Sequence, residues 1–101
     1  MARFKDINFF DKILVSSTNF SDNPVAWNFT SVGFALSVDS VDSNDIIEYS
    51  FDNSTVHGIL APFTVRNGVT FDSRAQSRIW FRRQTAGDAV IVYVEAWRFE
   101  C

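Results

Sequence analysis

The sequence predicts an all-β fold, a single antiparallel β-sandwich or jelly-roll-like domain of about seven or eight strands over residues 1–101. Three observations predict it. Apolar and polar residues alternate with a period of two in several segments, and no segment sustains helical spacing. Aromatic residues make up 16% of the chain, a composition that favours strands. Turn-forming residues separate the alternating segments, as in sandwiches and barrels.

The N-terminal strands are read from the apolar pattern. Residues 4–15 are strand-like, and residues 25–29 are predicted to run on into the next strand. Residues 32–38 alternate most clearly, so that two sets of side chains lie on opposite faces. The first set is Val32, Phe34, Leu36 and Val38, and the second is Gly33, Ala35 and Ser37.

Two hairpins are predicted in the rest of the chain. Residues 46–51 and 55–60 flank the turn Asp52-Asn53-Ser54, whose side chains bond readily to nearby backbone. Residues 77–83 and 89–99 are predicted to pair across a turn at 84–88 that contains Gly87.

No catalytic, metal or cofactor site is predicted. His57, the only histidine, lies in a strand-like segment without Cys or Glu at ligand spacing, which favours a structural role. The acidic segment 39–45 (DSVDSND) offers oxygen ligands, but its spacing departs from the EF-hand pattern and favours a solvated loop over a calcium site. Because no nucleophile, base and orienting group can be assembled, the chain is not expected to be an enzyme.

Charge and composition limit the classes of partner that the sequence predicts. The net charge of −3 argues against nucleic acid. Residues 1–60 carry three basic against eight acidic residues, and residues 61–101 carry six arginines against four acidic residues, a split that suits head-to-tail contacts between identical chains or simply two ends of one domain. No segment has the apolar length of a membrane helix or a signal peptide. The single cysteine, Cys101, is expected to be free.

A contact surface is predicted on the last two strands. The side chains of Arg78, Trp80 and Arg82 are predicted to share one face of their strand. They could form a self-contained cation–π stack, a platform for a sugar or an interface anchor. In residues 89–99 both faces are apolar, so a loop of the same domain or another subunit must cover the second. The predicted subunit contact consists of Arg78, Trp80, Arg82, Tyr93 and Trp97.

Two segments carry a family resemblance: residues 47–58 (IEYSFDNSTVHG) and 77–97 (SRIWFRRQTAGDAVIVYVEAW). With the aromatic N-terminus they resemble small virion structural proteins of tailed bacteriophages. The resemblance implies a β-sandwich or jelly-roll protein that assembles in the host cytoplasm, often as a dimer or trimer. It would bind the major capsid protein or other virion proteins in many copies, as a cement or decoration subunit. A tail, head-closure or baseplate component is the nearest alternative.

A carbohydrate-binding β-sandwich module is the second alternative. It depends on Trp27, Trp80 and Trp97 serving as platforms for sugar rings. The sequence does not decide whether these three indoles share a surface.

Overall fold

A computed structural model of the chain describes residues 5–100, and the side chains of residues 8–98. The all-β fold is confirmed, since this part of the chain contains eight strands and one short 3₁₀ helix, Phe20–Asp22. No helix in it has the length and apolar character needed to cross a membrane. The strands are β1 (Lys5–Val15), β2 (Pro24–Ser31), β3 (Gly33–Asp39), β4 (Ile47–Ser50), β5 (Gly58–Leu60), β6 (Gly68–Phe71), β7 (Gln76–Arg83) and β8 (Val90–Glu100).

The strands form two four-stranded antiparallel sheets. Sheet A has the order β1-β8-β3-β6 and sheet B the order β2-β7-β4-β5. Four pairs are nested along the chain: β4 with β5, β3 with β6, β2 with β7, and β1 with β8. A long hairpin wrapped into two facing sheets gives this order, which is that of a jelly roll.

The core lies between the sheets, and the period-two pattern places it there. The alternation predicted for residues 32–38 is confirmed from Phe34 to Val38, and alternate side chains of β8 are buried in the same way. The buried apolar side chains of β3, β7 and β8 are Phe34, Leu36, Val38, Ile79, Phe81, Val90, Val92, Val94 and Ala96. Val32, predicted to share a face with these residues of β3, is exposed instead.

The predicted hairpin of residues 77–83 with 89–99 is wrong. Both strands form, but β7 pairs with β2 and β4 in sheet B, whereas β8 pairs with β1 and β3 in sheet A. Residues 84–89 therefore cross between the sheets. Gly87 does not adopt the positive φ of a tight hairpin turn. It instead leaves room for the guanidinium of Arg83, which a Cβ at residue 87 would strike.

The prediction that residues 25–29 continue into the next strand is also wrong. β2 ends at Ser31 in sheet B and β3 begins at Gly33 in sheet A, so the chain changes sheet at Val32. The backbone N–H of Val32 donates to the carbonyl of Trp97 at 3.0 Å, which fixes this corner to sheet A.

The pairing predicted for the first hairpin is confirmed, with Ile47 opposite Leu60 and Tyr49 opposite Gly58. Its strands are shorter than predicted, and residues 51–57 connect them. In its turn Asn53 has a φ of 67°, a left-handed conformation that asparagine tolerates. Asp52 Oδ1 accepts the backbone N–H groups of Thr55 and Ser54 at 2.8 and 2.9 Å, and these bonds lower the pKa of the Asp52 carboxyl.

The oppositely charged segments do not form opposed faces. Nesting places β1 and β3 beside β8, and β2 and β4 beside β7, so strands of the two segments are neighbours in both sheets. The two ion pairs among the described residues, Glu48–Arg82 and Asp45–Arg83, join the two segments inside one domain. The charge split is therefore no argument for head-to-tail contacts.

Candidate interaction surfaces

The five predicted contact residues do not share a surface. Arg78, Trp80 and Arg82 lie on the outer face of sheet B, because Ile79, Phe81 and Arg83 of the same strand point inward. Tyr93 and Trp97 lie on the outer face of sheet A. The sandwich separates the two groups since β7 and β8 belong to different sheets. That either group binds a subunit stays a prediction.

The side chains on the outer face of sheet B contact other residues of the same chain. Arg82 Nε donates to Glu48 Oε1 at 2.6 Å, and its guanidinium lies 4.2 Å from the centre of the Phe20 ring. The Arg78 guanidinium lies 5.7 Å from the Trp80 ring centre. Arg78 and Trp80 thus form one cation–π contact, whereas Arg82 contacts Phe20, so a stack of all three side chains does not form.

Trp97 lies over β3. It is half-buried and stands opposite Gly33 in the register of β3 and β8. A Cβ at residue 33 would overlap the indole, so the glycine is what lets the ring rest on the backbone of the neighbouring strand. The second apolar face of β8 is thus partly covered by its own sheet.

The set of three tryptophan platforms is wrong. Trp27 is only 6% exposed and belongs to the core, where its Nε1 donates to the carbonyl of Gln76 at 3.0 Å. Trp80 and Trp97 lie on opposite outer faces. The three indoles therefore do not bind one sugar together.

Four loops meet at one end of the sandwich, here called the loop end: residues 16–23, 40–46, 61–67 and 84–89. Backbone hydrogen bonds connect them. The N–H of Arg83 donates to the carbonyl of Ser17, and that of Gln84 to the carbonyl of Ile46. The N–H of Val38 donates to the carbonyl of Asn67, where β3 meets β6.

A buried arginine organises the loop end. Arg83 is 5% exposed, and its guanidinium donates to Asp45 Oδ1 at 2.9 Å and to the carbonyls of Thr85 and Asp88 at 2.9 and 2.8 Å. The Ser40 hydroxyl donates to Asp45 Oδ2 at 2.6 Å. The Ser40 bond and the Arg83 guanidinium lower the pKa of the Asp45 carboxyl, against the effect of desolvation.

These contacts bear on the calcium alternative for the acidic segment. Both carboxylate oxygens of Asp45 are bound by groups of the chain itself. Among the described residues, no three His, Cys, Asp or Glu side chains come together in a group that suits a metal ion. Residues 41–44 are exposed, as in a solvated loop.

Three apolar side chains project at the loop end. Val41 is 95%, Phe63 70% and Val65 97% exposed, and we call these three residues the loop tips. Their two loops are neighbours, because Ser37 of β3 pairs with Gly68 of β6. Sequence reasoning missed them, since single apolar residues in polar loops do not belong to a periodic pattern. Phe63 also has a φ of 62°, a left-handed conformation that is strained for a bulky side chain.

The outer face of sheet A holds a depression of about 450 Å³. Its floor is formed on β3 and β6 by short side chains, and one wall on β1 and β8 by longer ones. Phe10 and Tyr93 stack in that wall with ring centres 6.0 Å apart and planes 24° from parallel. The lining residues are Phe10, Ala35, Leu36, Ser37, Asn67, Gly68, Val69, Thr70, Tyr93 and Glu95. The sequence gives no direct signal for this depression, because Phe10 and Tyr93 meet only through the register of β1 and β8.

His57 lies in the loop before β5, and not in a strand. Its Nδ1 accepts the backbone N–H of Phe51 at 3.0 Å, and its ring centre lies 4.7 Å from that of Phe51. The imidazole thus stabilises the β4–β5 connection, which fits the structural role predicted for it.

Comparison with known proteins identifies no family: no protein-family model matches the chain, and no curated protein matches it. The resemblance to phage virion proteins therefore depends on segments 47–58 and 77–97 and the aromatic N-terminus. The expectation that Cys101 is free lies outside the described residues.

Proposed function

We propose that the chain is a non-enzymatic structural protein of a tailed-phage virion, which binds the outside of the capsid in many copies as a cement or decoration subunit. The observation that carries the docking part is the exposure of Val41, Phe63 and Val65 at one end of the sandwich. The virion setting comes from the sequence resemblance. A jelly roll is compatible with both, since this fold occurs in viral capsid domains as well as in lectins.

The loop tips have the character of a docking site. Phe63 occupies a conformation that costs a non-glycine residue about 1–3 kcal/mol, and its exposed ring makes little return contact with the core. Strained residues of this kind cluster at functional positions. A partner that buries the Phe63 ring would explain why the protein keeps a residue whose backbone conformation costs stability.

The energetics favour many weak contacts. Burying one Val or Phe side chain contributes about 1.5–3 kcal/mol, so the three loop tips together supply roughly 5–9 kcal/mol. Association itself costs at least about 4 kcal/mol. A single contact is therefore weak, and a subunit that uses it needs multivalent attachment on a repeating lattice.

The partner is a virion protein, with the major capsid protein as the first candidate. Two exposed acidic residues, Asp42 and Asp88, and one exposed basic residue, Arg66, lie at the loop end. The complementary surface is an apolar socket with a mainly basic rim, since such a rim would speed association. Binding across neighbouring capsid subunits would stabilise the shell by its preference for the assembled state. Following the resemblance, the cement subunit is a dimer or trimer.

The test is cosedimentation of purified protein with capsids that lack it. Phe63→Gly and the double variant Val41→Ser, Val65→Ser should remain folded and lose about tenfold or more in affinity. Val56→Ser is the matched control, because Val56 is an exposed apolar residue in the β4–β5 loop, away from the loop end. That variant should bind like the unmodified protein.

Two results would contradict the proposal. If the unmodified protein does not bind capsids, the cement role is wrong. If the loop-tip variants bind normally while Trp80→Ala or Trp97→Ala does not, the contact is the outer-face site predicted from sequence. Cryo-electron microscopy of the virion decides the location: density over the whole shell supports a cement subunit, and density confined to the tail or the portal supports a tail, head-closure or baseplate component.

A further inference from the structure

We propose that the depression on the outer face of sheet A binds a neutral carbohydrate, with the Phe10–Tyr93 pair as its apolar platform. The proposal concerns the isolated domain and does not depend on the capsid role. Its site differs from the tryptophan side chains on which the carbohydrate alternative predicted from the sequence depends.

The shape follows from residue size across four paired strands. Outward positions on β3 and β6 carry Ala35, Ser37, Gly68 and Thr70, and these small side chains form a low floor. β1 and β8 rise beside it with larger side chains. The volume of about 450 Å³ lies within the range of small-molecule sites, roughly 300–1,000 Å³.

The platform is held in place by its neighbours. Phe10 is 65% exposed although it stacks on Tyr93, so a large apolar area still faces solvent. The Tyr93 hydroxyl is directed towards Asp39 Oδ2 at 3.4 Å, which orients the ring towards β3. The C–H groups on one face of a sugar ring suit the electron-rich face of such an aromatic ring.

Polar side chains with unused hydrogen-bonding groups line the depression beside the platform. The side chains of Ser37, Asn67, Thr70 and Glu95 form no hydrogen bond with a described residue. Together they offer hydroxyl and amide groups that both donate and accept, and a carboxylate that accepts. This mixture matches the hydroxyl groups of a sugar, which also donate and accept.

The charge of the lining selects among ligand classes. Glu95 is the only charged residue in the lining, and its carboxylate disfavours phosphates, nucleotides and acidic sugars, although Lys12 stands opposite Tyr93 in the register of β1 and β8. An organic cation is the remaining rival, because cations bind aromatic faces. Both rings here form a single wall and cover part of each other, whereas a cation is best held by faces on several sides. A neutral sugar fits this open, one-sided arrangement better.

The experiment uses the purified full chain on an array of neutral and acidic oligosaccharides, followed by isothermal titration with the neutral sugar that binds and with tetramethylammonium. We expect weak binding of neutral sugars only. Tyr93→Ala should lower the affinity about tenfold or more, and Ala35→Leu, which fills the floor, should abolish it. Trp80→Ala, on the opposite face, should bind like the unmodified protein.

Each contrary outcome overturns the proposal. Binding of no neutral sugar at millimolar concentration refutes it, as does binding of tetramethylammonium in place of a sugar. So does sugar binding that Tyr93→Ala and Ala35→Leu leave unchanged. Near-ultraviolet circular dichroism checks that each variant is folded.

Discussion

Replacing Arg83 with methionine should destabilise the protein more than any other change to a charged side chain among the described residues. Methionine keeps the apolar stem and removes the guanidinium. The change leaves Asp45 without its cation, and the carbonyls of Thr85 and Asp88 without their donor. Two of the four loops at the loop end lose their common anchor.

The magnitude follows from burial. Breaking a buried ion pair by removing one partner costs about 3–5 kcal/mol. The Asp45 side chain is 20% exposed, so water replaces part of the lost bonding and the lower limit, about 3 kcal/mol, applies. For a domain of this length that loss lowers Tm by roughly 12–24 °C.

The assay is urea unfolding followed by tryptophan fluorescence, since buried Trp27 reports the loss of the core. Arg82→Met is the matched control: its ion pair with Glu48 is more exposed, and its loss should cost about 1 kcal/mol. Arg83→Lys, which keeps a charge but not the fork of donors, should fall between the two. A cost below about 1 kcal/mol for Arg83→Met, or one equal to that of Arg82→Met, would refute the reasoning.

Three further predictions concern stability. Gly33→Val places a side chain against Trp97 and should cost about 1–3 kcal/mol in thermal unfolding, so an unchanged Tm would contradict the packing described. Phe63→Gly removes the left-handed strain and should leave stability unchanged or raise it by up to about 1 kcal/mol; a clear loss would show that the ring supports the fold. Because the pKa of Asp45 is lowered in the folded protein, the unfolded chain binds this proton first as pH falls. The stability that Asp45 contributes is therefore complete above the ordinary pKa of 3.8 and is lost as pH falls below it, through the pKa of the folded state. Between about pH 6 and 3 the stability difference between the unmodified protein and Asp45→Asn should therefore shrink, and a constant difference would contradict this.

Local patterns predict the strands well because burial alternates along each strand. Residues 34–38 and 78–83 show their inward and outward sets directly, and the first hairpin carries its own turn chemistry at Asp52 and Asn53. Each of these features depends on neighbours in sequence. No knowledge of the sheet order is needed to find them.

Pairing across the sandwich is not local, and there the sequence predictions fail. A six-residue connection such as 84–89 suits either a hairpin or a crossing between sheets, and the choice depends on which distant strands pair with β7 and β8. That choice decides whether Trp80 and Trp97 share a surface. The Phe10–Tyr93 stack and the exposed Phe63 likewise require the folded arrangement, since neither follows from alternation.

The nested pairs also predict an order of folding. β4 and β5 are close in sequence and pair at once, whereas β1 has no partner until β8 has been synthesised, and their nearest paired residues are Val15 and Val90. Closing so long a loop is slow, and folds dominated by such contacts take about milliseconds to seconds. We expect the sandwich to form from its innermost hairpin outwards. Mutations in β4 would then slow folding, and mutations in β1 would mainly speed unfolding.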